Sequence, residues 1–433
     1  MGAIRWLRLN VLAFALLISV DARAQSSQIG PASVEIGAQA IGVVTRESPA
    51  IHGRNLTEGY LTQPLVMATA SFWSEALEVK AALDLEGVTL KRGELNAGIL
   101  GEGYIDRRHP HTYLHELVVT AQRRFGLNGV SMTLGKGFVP FGTDDPMARP
   151  FEKYPINHHL AQILERAVAI GAFRTQRVIL EAGLFNGDEP ESPGDVPNPD
   201  RYWDSWSGRV TFVPFPQGEF QTSYARVRSP ENARGGGADH RKHSASVRLE
   251  DAQHTGYGLL EWARTTDYAG SSRTFAFNSL LAETWARYGL VSGALRFEQT
   301  ERPDEERQVD EFRSALPATD LSIIGRSRWT IITARIAASF SVVKSLTFEP
   351  FAEVARIRFT PTLEPSGFDP AQFYGSNRIW SVTAGAKLTF GMRHMRMGRY
   401  GMATTEKRGM KMDGMEMEQM HMHGAMSNPT SKQ

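Results

Sequence analysis

The chain has 433 residues, a formal net charge of +1 and no cysteine. Near-neutral charge excludes a general electrostatic bias towards nucleic acid or acidic surfaces, and the lack of Cys excludes a disulfide-stapled secreted scaffold. With 40 Gly and a mean hydropathy below zero, the composition suits a long β-structure.

The first residues, MGAIRWLRLNVLAFALLISVDARAQ, read as a secretory signal. Arg5 and Arg8 give a positive start, residues 11–20 an apolar run, and Ala22-Arg23-Ala24 a small-residue cleavage site before Gln25. A spanning anchor needs about 20 apolar residues, well beyond this run. The expectation is a signal peptide at 1–24 and an exported mature chain. Residues 25–61 are expected to form an N-terminal periplasmic arm or plug. A strand at 33–44 fits the pattern, but it would make the strand count odd.

From residue 62 onward apolar and polar residues alternate with a period of two. In LEVKAALDLE, Leu77, Val79, Ala81, Leu83 and Leu85 oppose Glu78, Lys80, Asp84 and Glu86. In WSVTAGAKLTF, Trp380, Val382, Ala384, Ala386, Leu388 and Phe390 oppose Ser381, Thr383, Lys387 and Thr389. Strands are expected near 62–72, 76–90, 94–104, 114–125, 129–137, 166–173, 177–185, 206–214, 218–228, 243–251, 256–265, 273–285, 289–299, 328–342, 346–359 and 379–390. Short links such as Lys91-Arg92-Gly93 and Gly126-Leu127-Asn128 exchange with long polar ones at 138–165, 186–205, 229–242, 300–327 and 360–378. That alternation, with an even count of about 16, predicts an all-β fold: an antiparallel transmembrane β-barrel over 62–390. A periplasmic sandwich or solenoid would not need it. With an even count both termini face the periplasm.

The long loop FVPFGTDDPMARPFEKYPINHH carries Asp144, Asp145, Arg149 and Lys153. Folded inward, it would narrow a pore against lumen arginines such as Arg248, Arg296 and Arg335; the alternative is an ordinary solvated loop. Lumen polarity is expected from Lys80, Asp84, Arg248, Glu250, Arg296, Glu298, Arg335 and Lys387. The loop GDEPESPGDVPNPDRYWD is acidic and suits cation bridging at a lipopolysaccharide surface, or plain solvation. His109 and His111 in RRHPHTYLHE, with His158 and His159, form a candidate imidazole site for Zn²⁺ or Cu²⁺, set against a reading as packed or surface histidines.

The last predicted strand ends in Phe390, a terminal aromatic such as outer-membrane insertion machinery reads, although about 43 residues follow it. Of the 15 Met, 11 lie at or after Met392. Residues 391–433 are therefore read as a disordered, periplasmic Met/His-rich tail. Met410 and Met412, Met415 and Met417, and Met420 and Met422 form M-x-M pairs repeating every five residues, a spacing that scatters Met around a helix. Thioethers are soft ligands that select Cu(I), and imidazole assists. The candidate ligands are Met392, His394, Met395, Met397, Met410, Met412, Met415, Met417, Met420, His421, Met422, His423 and Met426, for copper or silver ions. A tail without a ligand is the alternative.

The segments RRHPHTYLHEL, RPFEKYPINHH, LEAGLFNGDEPE and WDSWSGRVTF together resemble a little-characterised group of porin-like proteins from Gram-negative bacteria, over roughly residues 100–250. The tail is similar to the Met/His-rich segments of copper-handling proteins. The resemblance implies a bacterial outer-membrane barrel and assigns no residue a catalytic role. No hydrolase or metalloprotease motif is present, and the adjacent His243 and Ser244 should point to opposite faces, so no enzyme activity is expected. The partners expected are lipid, lipopolysaccharide and small solutes or metal ions, with no nucleic acid. Oligomeric state stays open, a trimer included. The functional expectation is a porin-like channel for small polar solutes or ions linked to copper. A general diffusion porin and a plugged structural or adhesive barrel stand as alternatives.

Overall fold

The computed structural model of the chain describes residues 27–29, 32–49, 53, 55–90, 111–152, 154–156, 158–305, 323–343, 345–362, 369–391 and 396–405. One antiparallel sheet closes on itself. Its strands are β1 (Ala32–Ser48), β2 (Leu56–Phe72), β3 (Leu77–Asp84), β4 (Leu114–Phe125), β5 (Asn128–Gly137), β6 (Arg166–Arg174), β7 (Val178–Phe185) and β8 (Ser205–Phe215). They continue with β9 (Gly218–Val227), β10 (Asp239–Glu250), β11 (Gly256–Ala269), β12 (Ser272–Tyr288), β13 (Val291–Glu305), β14 (Ile323–Ala338), β15 (Leu346–Pro361) and β16 (Arg378–Phe390). Phe340–Val343 carries β14 on past Ser339, and Ser27–Ile29 folds back on the start of β1. The closing pair is β16 with β1, running from Trp380 opposite Ser48 to Phe390 opposite Ala38.

Connections sort by end. Residues 73–76, 126–127, 175–177, 216–217, 251–255 and 289–290 make short turns at the end where β1 begins and β16 stops. Gly126 and Gly289 hold positive φ there (62° and 60°), the left-handed geometry that suits a two-residue hairpin turn. The strand ends that the longer links join, such as Gly137 and Arg166, Phe185 and Ser205, and Pro361 and Arg378, lie at the other end.

The alternation sets the two faces. Along β13, Ser292, Ala294, Arg296, Glu298 and Thr300 are buried while Val291, Leu295 and Phe297 are exposed. Leu134, Leu180, Leu260, Leu295, Ile332 and Val382, from six strands around the ring, are each 44–55% exposed. A belt of this extent greatly exceeds the apolar patches that water tolerates. Apolar outside and polar inside is the pattern of a barrel that crosses lipid.

Two expected assignments change, and they cancel. Residues 32–48, expected within an arm or plug, form β1, so the barrel starts at Ala32 rather than at residue 62. Residues 91–110 lie outside the described residues, but β3 pairs directly with β4, so no strand at 94–104 stands between them in the ring. Dropping one strand and gaining another keeps the count even. The expected strand 76–90 stops at Asp84, whose carboxylate accepts the Glu86 backbone N–H at 2.8 Å and turns the chain into the short helix α1 (Glu86–Thr89).

The outward assignment yields a prediction. Ile332→Arg at mid-strand in β14 should lower unfolding stability in phospholipid vesicles by about 2–4 kcal/mol. A change within about 0.5 kcal/mol, normal for a water-exposed site, would contradict a lipid-facing belt.

Candidate functional site

The loop 138–165 folds into the barrel. It starts from β5, where Gly142 holds φ +76° and a Cβ would collide with the Ala161 carbonyl oxygen. Its backbone then meets the inner wall strand by strand. Gly142 N–H donates to Ser223 of β9 (3.0 Å) and Thr143 donates to Glu261 of β11 (2.8 Å). Ile156 N–H donates to Glu298 of β13 (2.8 Å), Glu152 N–H to Glu353 of β15 (3.3 Å), and Tyr60 of β2 donates to the Glu152 carboxylate (2.8 Å). The short helix α2 (His158–Ala161) lays Leu160 and Ala161 against Ala263 and Phe277 of β11 and β12. The loop thus crosses the lumen instead of hanging in solvent.

Its charges are paired inside. Asp144 accepts from Arg396 Nε at 3.1 Å, Arg248 Nη1 at 3.3 Å and Arg149 Nη2 at 3.4 Å. Burial pushes the Asp144 carboxyl up, but these guanidiniums, Arg396 foremost, outweigh it and hold its pKa below the ordinary value. Arg149 also reaches Glu261 (3.3 Å). Arg296 pairs with Glu283 (2.6 Å) and lies over the Phe151 ring at 4.1 Å. Arg335 stays on its wall, pairing with Glu349 (3.0 Å) and stacking on Phe351.

A second insertion comes from the C-terminal side. Residues 396–403 enter the barrel beneath the loop. Arg396 grips Glu219 of β9 with both terminal nitrogens (2.7 and 3.1 Å), and Arg399 donates to the same carboxylate (2.5 Å) and to the Thr143 carbonyl (3.2 Å). Phe138 N–H donates to the Tyr400 hydroxyl (2.8 Å), and Met402 N–H to Ser131 (3.0 Å). The tail boundary expected at 391 therefore falls later. Met397, expected as a metal ligand, is buried with Phe138, Phe141, Ile163 and Tyr400, where an apolar thioether fills the core.

At the long-loop end, inside the wall of β2 to β4, lies a cluster of acids and imidazoles. Glu165 Oε1 meets His111 Nδ1 (2.8 Å) and His115 Nδ1 (2.7 Å), while its Oε2 accepts from Thr112 N–H (2.9 Å). Lys136 stands 3.9 Å from Glu165, and Asp145 Oδ2 stands 3.9 Å from His115 Nε2. Glu86 accepts from Gln63 N–H (2.8 Å) and Thr62 (2.5 Å). Burial pushes the His111 imidazolium down, but the Glu165 hydrogen bond and charge, with Glu86 and Asp84, raise its pKa to about 9. Burial raises the Glu165 carboxyl, but the charge of His115 and the hydrogen bonds from both rings hold it well below the carboxylate range.

Placement of the expected residues is mixed. Lys80, Asp84, Arg248, Arg296, Glu298 and Arg335 are buried on the inner wall, each less than 8% exposed, so the lumen at their level is filled rather than a wide water column. Lys387 shares the inward parity of Ser381 and Thr383, and Glu250 pairs with Arg248 (3.1 Å) near the short turns. His111 meets His115, Asp84 and Glu165; the short helix that carries His158 and His159 packs on the opposite wall, and His109 and Lys153 lie outside the described residues. Met392, His394, Met395, Met410, Met412, Met415, Met417, Met420, His421, Met422, His423 and Met426 also lie outside them. In the acidic loop, Asp204 pairs with Arg201 (2.7 Å), Asp195 caps Ser192 (2.8 Å) and Glu189 reaches Arg166 (2.6 Å). His243 is exposed and Ser244 buried, on opposite faces. Sequence reasoning missed Glu165, Glu219, Arg396 and Arg399. The signal for the last two was present: R-x-x-R-Y directly after the closing strand, facing a wall with Glu181, Glu219 and Glu261.

No protein-family model matches the chain and no curated protein matches it, so no family model stands behind the resemblance read from the sequence. Solved structures similar to it include the anion-selective porin from Comamonas acidovorans, with TM-score 0.47 and 11% identity over 83% of this chain and 100% of that one. In-vitro folded OmpT of Vibrio cholerae gives 0.49 and 8% over 85% and 100%. OccK2 of Pseudomonas aeruginosa, in complex with glucuronate, gives 0.38 and 10% over 82% and 98%. At these scores and identities the likenesses carry no inference about what this chain binds or passes.

Proposed function

We propose that the chain is a porin-like channel of the bacterial outer membrane that passes small polar solutes or ions through a narrowed lumen, with a periplasmic Met/His-rich tail that binds copper or silver ions. The observation that carries the channel reading is the loop 138–165 laid across a charged lumen inside a closed barrel with an apolar exterior. Paired acidic and basic side chains along that path would sort solutes by charge and size, and movement would be passive diffusion. A signal peptide at 1–24 and insertion through the Phe390 strand are part of this reading.

One observation favours a second reading, a filled structural barrel. The inward charges are buried, and residues 396–403 occupy the lumen beneath the loop. The double variant Arg396→Ala/Arg399→Ala removes both grips on Glu219. In planar bilayers it should raise single-channel conductance severalfold over wild type. Unchanged conductance would mean that this segment does not limit passage, and silence in both proteins would favour the filled barrel.

The copper part rests on the chemistry of the tail: neutral thioethers need no deprotonation and form no disulfide, which suits an oxidising compartment. Cu(I) titration of the full chain against a chromophoric chelator should show tight binding. Replacing Met410, Met412, Met415, Met417, Met420 and Met422 by Leu should abolish it. Equal competition by both proteins would remove the metal role and leave a general diffusion channel.

A further inference from the structure

We propose that Asp84, His111 and His115 form a binding site for one divalent transition-metal ion of the zinc class, set in the barrel wall and separate from the Met/His tail. Each residue offers a ligating atom within 4.8 Å of the others, and all three are buried. Around a tetrahedral ion with bonds of about 2.0–2.2 Å, ligand atoms stand about 3.3–3.6 Å apart, so a modest closure completes the site.

The hydrogen bonds prepare the ligands. Glu165 Oε1 engages Nδ1 of both rings, at 2.8 Å for His111 and 2.7 Å for His115. That leaves Nε2 as the nitrogen each imidazole has for a metal, the carboxylate–histidine–metal arrangement that fixes ring orientation. His115 is fully buried, and its Nε2 has no hydrogen-bond partner. Asp84 Oδ2 is likewise buried without a hydrogen-bond partner, its Oδ1 being held by the Glu86 N–H. Asp145 Oδ2, also without one, lies 3.9 Å from His115 Nε2 and is the nearest fourth donor. Buried polar atoms without partners are costly, and a cation among them meets all three needs together.

The donor set chooses the ion. Two imidazoles with carboxylates are a borderline set that suits Zn²⁺; Ca²⁺ and Mg²⁺ want oxygen alone, and no thiolate or thioether joins these ligands to favour Cu(I). Formal charge agrees: Asp84, Glu86, Asp145 and Glu165 converge here, with Lys136 3.9 Å from Glu165. The placement gives the ion a task. Asp84 ends β3, His111 lies in the link just before β4, His115 opens β4, and Asp145 and Glu165 belong to the inward loop. A bound ion would pin that loop to the wall at its external end.

The test uses full-length protein in detergent, stripped with a chelator and titrated with Zn²⁺ against a chromophoric competitor; its readout is independent of conductance. One tight equivalent is expected. Asp84→Asn and His115→Gln should each weaken it at least about tenfold, Glu165→Gln about 10- to 100-fold, and Leu at the six tail Met positions should not change it. The absence of a tight equivalent in wild type, or equal affinity in Asp84→Asn and His115→Gln, would overturn the site. Should those variants fail to fold, Co²⁺ in the wild-type chain decides. Intense visible absorption of four-coordinate nitrogen and oxygen ligation supports the site, and a weak six-coordinate spectrum overturns it.

Discussion

Charge that is cut off from water must find opposite charge, and the inside of this barrel depends on that requirement at Asp144. Three guanidiniums converge on its carboxylate: Arg149 from the same loop, Arg248 from β10 and Arg396 from the C-terminal segment. One side chain thereby joins the loop, the wall and the chain end. Removing one partner from such a network leaves a buried uncompensated charge, a larger penalty than the pair itself is worth. The fold of the lumen is therefore cooperative, over and above the backbone pairing that joins each strand to its neighbours.

The same requirement explains why the loop lies inside. A largely polar inner wall with Glu261 on β11, Glu298 on β13 and Glu353 on β15 needs donors, and the loop supplies them as backbone N–H groups and Arg149. The segment 396–403 supplies Arg396 and Arg399 to Glu219 in the same way. Apolar side chains complete the packing where the wall allows it, as Met397 and Tyr400 do beside Phe138 and Ile163. Two insertions, one from each end of the barrel, thus divide the lumen between them.

The barrel was legible because its signal is local. Alternation along WSVTAGAKLTF matches the exposed and buried positions from Trp380 to Ala384 of β16, and hairpins need only adjacent strands. The parity of the count survived because β1 replaced an expected strand at 94–104 that has no place between β3 and β4. The inward loop was legible as a charged segment, though not its partners, since Asp144 and Arg396 are 252 residues apart. The cluster of Asp84, His111, His115 and Glu165 was hidden for the same reason: its members come from a strand end, a loop, a strand start and another loop. Reading 391–433 as one tail misplaced 396–403, because a run without aliphatic residues still docks when arginines meet buried glutamates.

The central claim is that the barrel conducts through a lumen narrowed by its own chain. Single-channel recording of the folded wild-type protein in planar bilayers tests it most directly. The account predicts discrete steps far smaller than an unobstructed 16-strand barrel would pass. Folded protein that inserts and gives no steps, or steps as large as those of an open barrel, would contradict it.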